Sequence, residues 1–214
     1  MNVGLATTGI LLTAPVMALA AVAIRMSSPG PVIFRQARVG YCARAKDRRG
    51  EVSQENGGSR KGKDRRDTDT GGRLFTIYKF RTMTVATQAK EEWATPDDPR
   101  ITTIGRFLRR TRIDELPQLF NVLKGDMNIV GPRPEQPGIF AQLRHEVDHY
   151  AQRQKVKPGI TGLAQVNLDY DQSIDDVRRK VRMDLRYIQS RGIKKDLEIM
   201  TKTVPVMLFK KGSM

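Results

Sequence analysis

Residues 3–24 read VGLATTGILLTAPVMALAAVAI and contain no charged side chain. The run is close to the ~20 apolar residues that a helix needs to cross a bilayer. It therefore predicts a membrane segment. Met1 and Asn2 carry no side-chain charge, so the basic region that precedes a cleavable signal peptide is missing, and we expect the segment to be retained.

Pro15 stands near the middle of this segment. An interior proline removes a helical hydrogen bond and clashes with the preceding turn. Two half-length helices, each ~17 Å long, would be too short to cross a ~30 Å hydrocarbon core but long enough to enter and return. The residues alone leave two structures open, a straight span and a re-entrant segment of helix, break and helix.

Two strand-like runs follow the membrane segment and predict a β-hairpin. The sequence SSPGP at residues 27–31 ends the helical pattern, and VIFRQARV at residues 32–39 and LFTIYKF at residues 74–80 have strand composition. Between them, residues 43–73 contain no aromatic and only one large aliphatic, Val52. That stretch predicts a disordered basic loop inserted in the hairpin.

The rest of the chain is mainly helical in pattern. Helices are predicted at residues 103–112, 116–123 and 139–154. Another is predicted to begin after Ser173, which forms a capping-box pattern with Asp176. A final helix is predicted at residues 197–209. The last of these combines apolar residues with lysines, which fits either a core helix or an interfacial helix on anionic headgroups. The expected fold class is α+β, a mainly helical domain with a small β-hairpin.

Charge limits the classes of binding partner, and cysteine content indicates the redox compartment. The chain has 38 Lys and Arg against 23 Asp and Glu, a net charge of +15, which favours nucleic acid, anionic headgroups or phosphate substrates. Nucleic-acid binding is disfavoured, because residues 44–73 interleave no aromatics with their basic side chains. The lone Cys42 excludes an intrachain disulfide framework and suits a reducing compartment.

The densest polar cluster is RFLRRTRIDELPQ at residues 106–118, where four arginines precede Asp114 and Glu115. Adjacent helical residues point about 100° apart, so the two carboxylates can converge only where a helix starts, and Pro117 predicts that start. Free N–H groups there keep a carboxylate ionised and bind phosphate oxygens. The alternative interpretation makes Asp114 an ordinary helix N-cap.

The sequence HEVDH contains His145, Glu146 and His149 and matches the H-E-x-x-H pattern of zinc peptidases. These are the only two histidines in the chain, and no third ligand is evident. We interpret the segment as the solvated face of a helix.

Five motifs occur in order and together resemble the bacterial sugar transferase family of monotopic phosphoglycosyl transferases. They are SSPGPVIFRQARVG at residues 27–40, IYKFRTM at 77–83, DPRITTIGRFLRRTRIDELPQLFNVLKGDMNIVGPRPE at 98–135, VKPGITGLAQVN at 156–167 and DLRYIQSRGIKKDLEIMTKTV at 184–204. The resemblance covers nearly the whole chain outside residues 43–73.

This resemblance implies a catalytic dyad of Asp114 and Glu115. Asp114 is expected to attack the sugar-bearing phosphorus of a UDP-sugar, expel UMP and form a covalent aspartyl phosphosugar. Polyprenyl (undecaprenyl) phosphate then takes the sugar phosphate, with Glu115 positioning or deprotonating the lipid phosphate. The family uses Mg2+, and Asp114 is the expected metal contact.

Four basic residues are expected to bind substrate. By resemblance, Arg109 contacts phosphate and Arg133, in the Pro-Arg-Pro motif, binds the nucleotide. Lys79 and Arg81 alternate on a strand, so they either line the phosphate site together or are solvated.

The resemblance also implies the organisation of the chain. Residues 1–31 are expected to form a re-entrant membrane helix and turn, with Pro15 at the family's break and Ala14 in place of its serine. Residues 32–214 are expected to form the catalytic domain, on the cytoplasmic face of the bacterial inner membrane. The expected role is the first membrane step of exopolysaccharide, capsule, O-antigen or glycan biosynthesis, with membrane lipids as partners and no nucleic acid. The transferred sugar and homo-oligomerisation stay open.

Overall fold

The structure, a computed structural model, describes residues 1–42, 72–84, 98–168 and 173–208. Its helices are α1 (Asn2–Ser27), α2 (Thr103–Arg110), α3 (Gln118–Leu123), α4 (Pro137–Glu146), α5 (Leu163–Asn167), α6 (Ile174–Ser190) and α7 (Ile193–Leu208). Its strands are β1 (Ile33–Val39), β2 (Leu74–Phe80), β3 (Asn128–Val130) and β4 (Gly159–Thr161), and two 3₁₀ turns lie at Ile113–Glu115 and Tyr150–Lys155. The disordered loop predicted at residues 43–73 lies outside the described residues, except for its last two.

The predicted hairpin is confirmed. Strands β1 and β2 pair antiparallel, in a register that runs from Ile33 opposite Phe80 to Val39 opposite Leu74. Phe75 and Ile77 are buried in one core cluster with residues of α1 and of the segment around α3. Lys79 lies on the same face of β2 as these two, because alternate residues of a strand share a face.

A buried amide joins α3 to the hairpin. Asn121 is fully buried; its Oδ1 accepts a hydrogen bond from the Tyr78 amide (3.0 Å) and its Nδ2 donates one to the Thr76 carbonyl (2.7 Å). These bonds satisfy backbone groups of β2 that would otherwise be buried without partners. As a result, the turn that precedes α3 lies beside β2.

A second sheet, absent from the sequence-based prediction, pairs β3 with β4 in parallel. Asn128 lies opposite Gly159 and Val130 opposite Thr161. A side chain at Gly159 would collide with the backbone of Gly131, so the two chains can approach this closely only with glycine there. Strands of three residues are too short to produce a periodic signal.

Helix α1 continues through Pro15 as a single element, so the expected pair of half-length helices is not seen. It packs on the domain at both ends. Near its start, the Asn2 side chain bonds Asn128 and the Ile129 amide. Near its end, Ala20 and Ile24 are buried in a cluster with Phe80 and Leu108.

The remaining surface of α1 is apolar and exposed. Leu11, Leu12 and Leu19 are each more than 70% exposed. Within the described part of the chain, α1 is the one helix that could cross a membrane by its length and composition. Only 11% of its apolar stretch is buried. The prediction of a mainly helical α+β domain with a small antiparallel sheet and an apolar N-terminal helix is confirmed.

The single helix predicted at residues 139–154 is wrong. Helix α4 ends at Glu146, and His149 adopts a left-handed conformation (φ 62°) before the 3₁₀ turn begins. His145 and His149 therefore do not lie one turn apart on a helix, as the zinc-peptidase pattern requires. By contrast, the helix start predicted at Ser173 is confirmed, because Ser173 is the N-cap of α6 and its Oγ accepts a hydrogen bond from the Asp176 amide (3.2 Å).

Candidate active site

The acidic pair lies in a short irregular segment between α2 and α3. Arg112 is in the left-handed conformation (φ 57°), and Asp114 and Glu115 follow in the 3₁₀ turn. Pro117 is the N-cap of α3, so interpreting Asp114 as an ordinary N-cap of that helix is wrong. Both carboxylates are buried, and the tight turn lets the adjacent side chains occupy one region.

Glu115 is surrounded by three cations. Its Oε1 lies 2.9 Å from Arg133 Nη2, 3.4 Å from Lys79 Nζ and 3.5 Å from Arg112 Nη1. Burial alone would raise the pKa of Glu115, but the charges of Arg133, Lys79 and Arg112 outweigh burial and hold that pKa well below its usual range. Glu115 is therefore ionised at all physiological pH values.

Asp114 has the opposite electrostatic character. Burial, reinforced by the negative charge of Glu115, raises the pKa of Asp114 to about 6. Its Oδ1 is buried and has no hydrogen-bond partner among the described residues. The expectation that helix N–H groups keep this carboxylate ionised is not met, since α3 begins only at Gln118. The pair thus combines a permanently charged carboxylate with one that titrates near neutrality.

The loop that carries Arg133 is fixed by backbone pairing. The Gly131 amide donates to the Thr161 carbonyl (2.9 Å), and the Gly159 amide donates to the Pro132 carbonyl (3.0 Å). These bonds join the GPRPE and KPGITG sequences, which lie far apart in the chain. They direct the Arg133 side chain towards Glu115.

Two arginines that the sequence analysis did not assign also hold this loop. Arg38 Nη1 donates to the Pro134 carbonyl (3.1 Å), and Arg153 Nη2 donates to the Arg133 carbonyl (3.0 Å). Arg153 is itself buried against Asp184, with Nε 2.7 Å from Oδ2. Arg153 and Asp184 therefore position the backbone of Arg133 without reaching the acidic pair.

The structure brings together four of the six predicted site residues: Asp114, Glu115, Lys79 and Arg133. Arg109 points elsewhere, since its Nε donates to Thr82 Oγ1 (2.9 Å). Arg112 was not assigned to the site, although its position three residues before Glu115 was a usable signal.

Arg81 requires a correction. It is buried, and its guanidinium donates to the carbonyls of Pro29 and Ser28 (both 2.7 Å) at the end of α1. Strand β2 ends at Phe80, so the alternation that groups Arg81 with Lys79 no longer applies beyond it. Arg81 attaches the apolar helix to the hairpin.

Asp114 is the side chain expected to contact a metal ion. No group of three or more His, Cys, Asp or Glu that could bind a metal occurs in the described ranges. Mg2+ is usually held by one or two carboxylates together with substrate phosphates. Asp114 Oδ1, which bonds to no other group in the part of the chain that the structure describes, fits that arrangement.

Comparison with known proteins gives this cluster a context. A family model described as bacterial sugar transferase matches residues 1–47 and 55–210. A UDP-N-acetylgalactosamine-undecaprenyl-phosphate N-acetylgalactosaminephosphotransferase of Aeromonas hydrophila is 39% identical over 97% of this chain and 43% of its own length. A UDP-glucose:undecaprenyl-phosphate glucose-1-phosphate transferase of Escherichia coli is 39% identical over 95% of this chain and 38% of its own.

An undecaprenyl-phosphate galactose phosphotransferase of Salmonella typhimurium is 40% identical over 66% of this chain and 32% of its own length. The chain thus spans less than half the length of these three relatives. Because the family model covers both members of the acidic pair, the GPRPE loop and the apolar helix that packs beside them, the chain belongs to the bacterial sugar transferase family.

Proposed function

We propose that this protein transfers a sugar 1-phosphate from a UDP-sugar to polyprenyl phosphate and releases UMP. The observation that carries the proposal is the buried pair in which Glu115 is held by three cations and Asp114 Oδ1 has no hydrogen-bond partner within the described part of the chain. Such a cluster suits a diphosphate at a nucleophilic carboxylate. The relatives, whose names describe this class of reaction on undecaprenyl phosphate, support it.

In the first step, an Asp114 carboxylate oxygen attacks the phosphorus that bears the sugar. A bond forms between that oxygen and phosphorus, and the bond from phosphorus to the bridging oxygen breaks, so UMP leaves with the electron pair. Arg133, Arg112 and Lys79 offset the added negative charge. A bound Mg2+ would polarise the diphosphate oxygens, with Asp114 as its protein contact.

In the second step, an oxygen of the polyprenyl phosphate attacks the same phosphorus and Asp114 is released as a carboxylate. The low pKa of Glu115 makes it a weak base. We therefore propose that Glu115 holds the three cations in place for the lipid phosphate and does not remove a proton from that phosphate. Product formation starts polysaccharide or glycan assembly at the membrane.

The proposal is tested by incubating membranes that contain the protein with undecaprenyl phosphate and a panel of labelled UDP-sugars. We expect UMP release together with a lipid-linked phosphosugar for at least one donor. An inactive membrane scaffold, in which the acidic pair has no chemical role, would yield no lipid product from any donor.

The pH dependence should follow Asp114. Because burial and Glu115 raise the pKa of Asp114 to about 6, the nucleophile is protonated below that pH. The rate of UMP release in a single turnover should therefore rise with pH as Asp114 ionises and level off once this carboxylate is charged. Glu115→Gln removes a neighbouring negative charge, so we expect the midpoint to move to lower pH. A midpoint that is the same in both proteins would contradict this electrostatic picture.

We also propose that α1 enters one leaflet without crossing the bilayer and that the active site faces the cytoplasm. Both ends of α1 contact the same domain, Asn2 at its start and Ile24 at its end. A spanning helix would have to lose one set of contacts or draw a charged domain into hydrocarbon, which is costly. The exposed leucines of α1 would then contact lipid acyl chains.

Cysteine labelling tests this topology. The lone cysteine, Cys42, reports on the domain, and Gly4→Cys in a Cys42→Ser background reports on the start of α1, where an added side chain meets no neighbour. We expect an impermeant maleimide to label both positions in inverted vesicles and neither in intact spheroplasts. Labelling of the two positions from opposite sides would show that α1 spans the membrane.

A further inference from the structure

A cavity of about 180 Å³ lies beside the acidic pair. Arg112 and Glu115 line one part of it. Its other walls come from segments around α3, β4, α5 and α7 and are largely apolar. The apolar residues are Leu116, Leu119, Ile160, Val166 and Val206. A charged part and an apolar part therefore share one partly open cavity.

The polar side chains in the wall mostly bond to the protein itself. The hydroxyls of Thr161 and Thr203 lie 2.8 Å apart, and Thr203 also donates to the Ile199 carbonyl (2.8 Å). Gln165 Nε2 donates to the Ile160 carbonyl (3.1 Å), which leaves Gln165 Oε1 as the buried wall atom without a partner among the described residues. A sugar ring needs several hydrogen-bonding partners, and this wall offers few.

The cavity also lies next to the membrane segment. Leu119, one of its wall residues, packs beside Gly9 of α1, where an added Cβ would come within 3.3 Å of Leu119 Cδ1. A chain that leaves the acidic pair through this cavity therefore reaches the helix that we place in the bilayer.

We propose that this cavity binds the isoprene unit next to the phosphate of the polyprenyl acceptor, with the lipid phosphate at Arg112 and the acidic pair. The inference rests on the proposed function and adds a binding site for the hydrocarbon part of its acceptor. The size fits, because a dry cavity of about 150 Å³ binds benzene, which has one carbon more than an isoprene unit. The apolar wall accounts for selection of a lipid phosphate over a soluble one.

Filling the cavity provides the test. Val206→Phe adds bulk to the wall, whereas Val204→Phe makes the same change two residues away on α7 at an exposed position that does not line the cavity. We expect Val206→Phe to raise the KM for undecaprenyl phosphate by roughly tenfold or more and to leave the KM for the UDP-sugar unchanged. Val204→Phe should change neither constant.

Other results would overturn the inference. An increased KM for the UDP-sugar in Val206→Phe, or in Gln165→Leu, would assign the cavity to the sugar. Unchanged constants in Val206→Phe would show that the acceptor binds elsewhere. The unchanged donor KM expected for Val206→Phe also serves as its folding control. Failure of the proposed function is distinguishable, because the unsubstituted protein would then form no lipid product.

Discussion

Asp114→Asn should abolish turnover, with a loss on the order of 10⁴-fold or more, as seen when an enzyme loses its nucleophile. The amide cannot form the acyl phosphate that the proposed first step requires. Release of UMP from the UDP-sugar and mass spectrometry of the trapped adduct measure the two consequences. Both signals should disappear.

The loss should not come from unfolding. Asp114 has a raised pKa, so its folded form favours the proton, and the stability contributed by this group falls as pH rises from 3.8 to about 6. At neutral pH a neutral amide removes that cost, and we expect the variant to be at least as stable as the parent. Asp148→Asn, at an exposed position, is the matched control and should keep full activity. Full turnover by Asp114→Asn, or an adduct on another side chain, would rule out Asp114 as the nucleophile.

The second large effect is expected at Asp184, which is 2% exposed and paired with Arg153, itself 4% exposed. Asp184→Ala leaves a buried guanidinium without its carboxylate, and losses of about 3–5 kcal/mol in the free energy of unfolding follow from breaking such pairs. Arg153 also holds the Arg133 carbonyl. Chemical denaturation in detergent should therefore show a large loss of stability, and the KM for the UDP-sugar should rise.

Helix α6 contains its own control. Asp175 pairs with Arg178 at 2.8 Å, but both side chains are about half exposed or more. An exposed pair of this kind contributes about 0–1 kcal/mol, so Asp175→Ala should change neither stability nor KM appreciably. Equal losses for Asp184→Ala and Asp175→Ala would show that burial of the first pair has no energetic consequence.

Local sequence patterns predicted the features that depend on neighbouring residues. The hairpin was predicted because β1 and β2 are long enough to show strand composition, and the pairing of these two strands is confirmed. The three-residue strands β3 and β4 were missed for the opposite reason. The break between α4 and the next turn was missed because a left-handed residue at His149 leaves no compositional signal.

The sequence predicted the site only in part, because residues far apart in the chain form its contacts. Lys79 and Glu115 are 36 residues apart in the chain, and Arg153 and Asp184 are 31 apart. Separations of this length are far longer than the repeat of a helix or a strand, so the sequence alone does not reveal these contacts. The strand alternation that grouped Arg81 with Lys79 applied only as far as the strand itself continued.

The sequence by itself determined that this chain has an uncharged N-terminal segment, a hairpin, mostly helical remaining segments and an Asp-Glu pair among arginines, because each depends on residues close together in the chain. Only the tertiary structure decided which cations reach Glu115, why Asp114 titrates near neutrality while its neighbour does not, and where a cavity meets them. Burial and the Coulomb interaction depend on distances in space, and folding sets those distances.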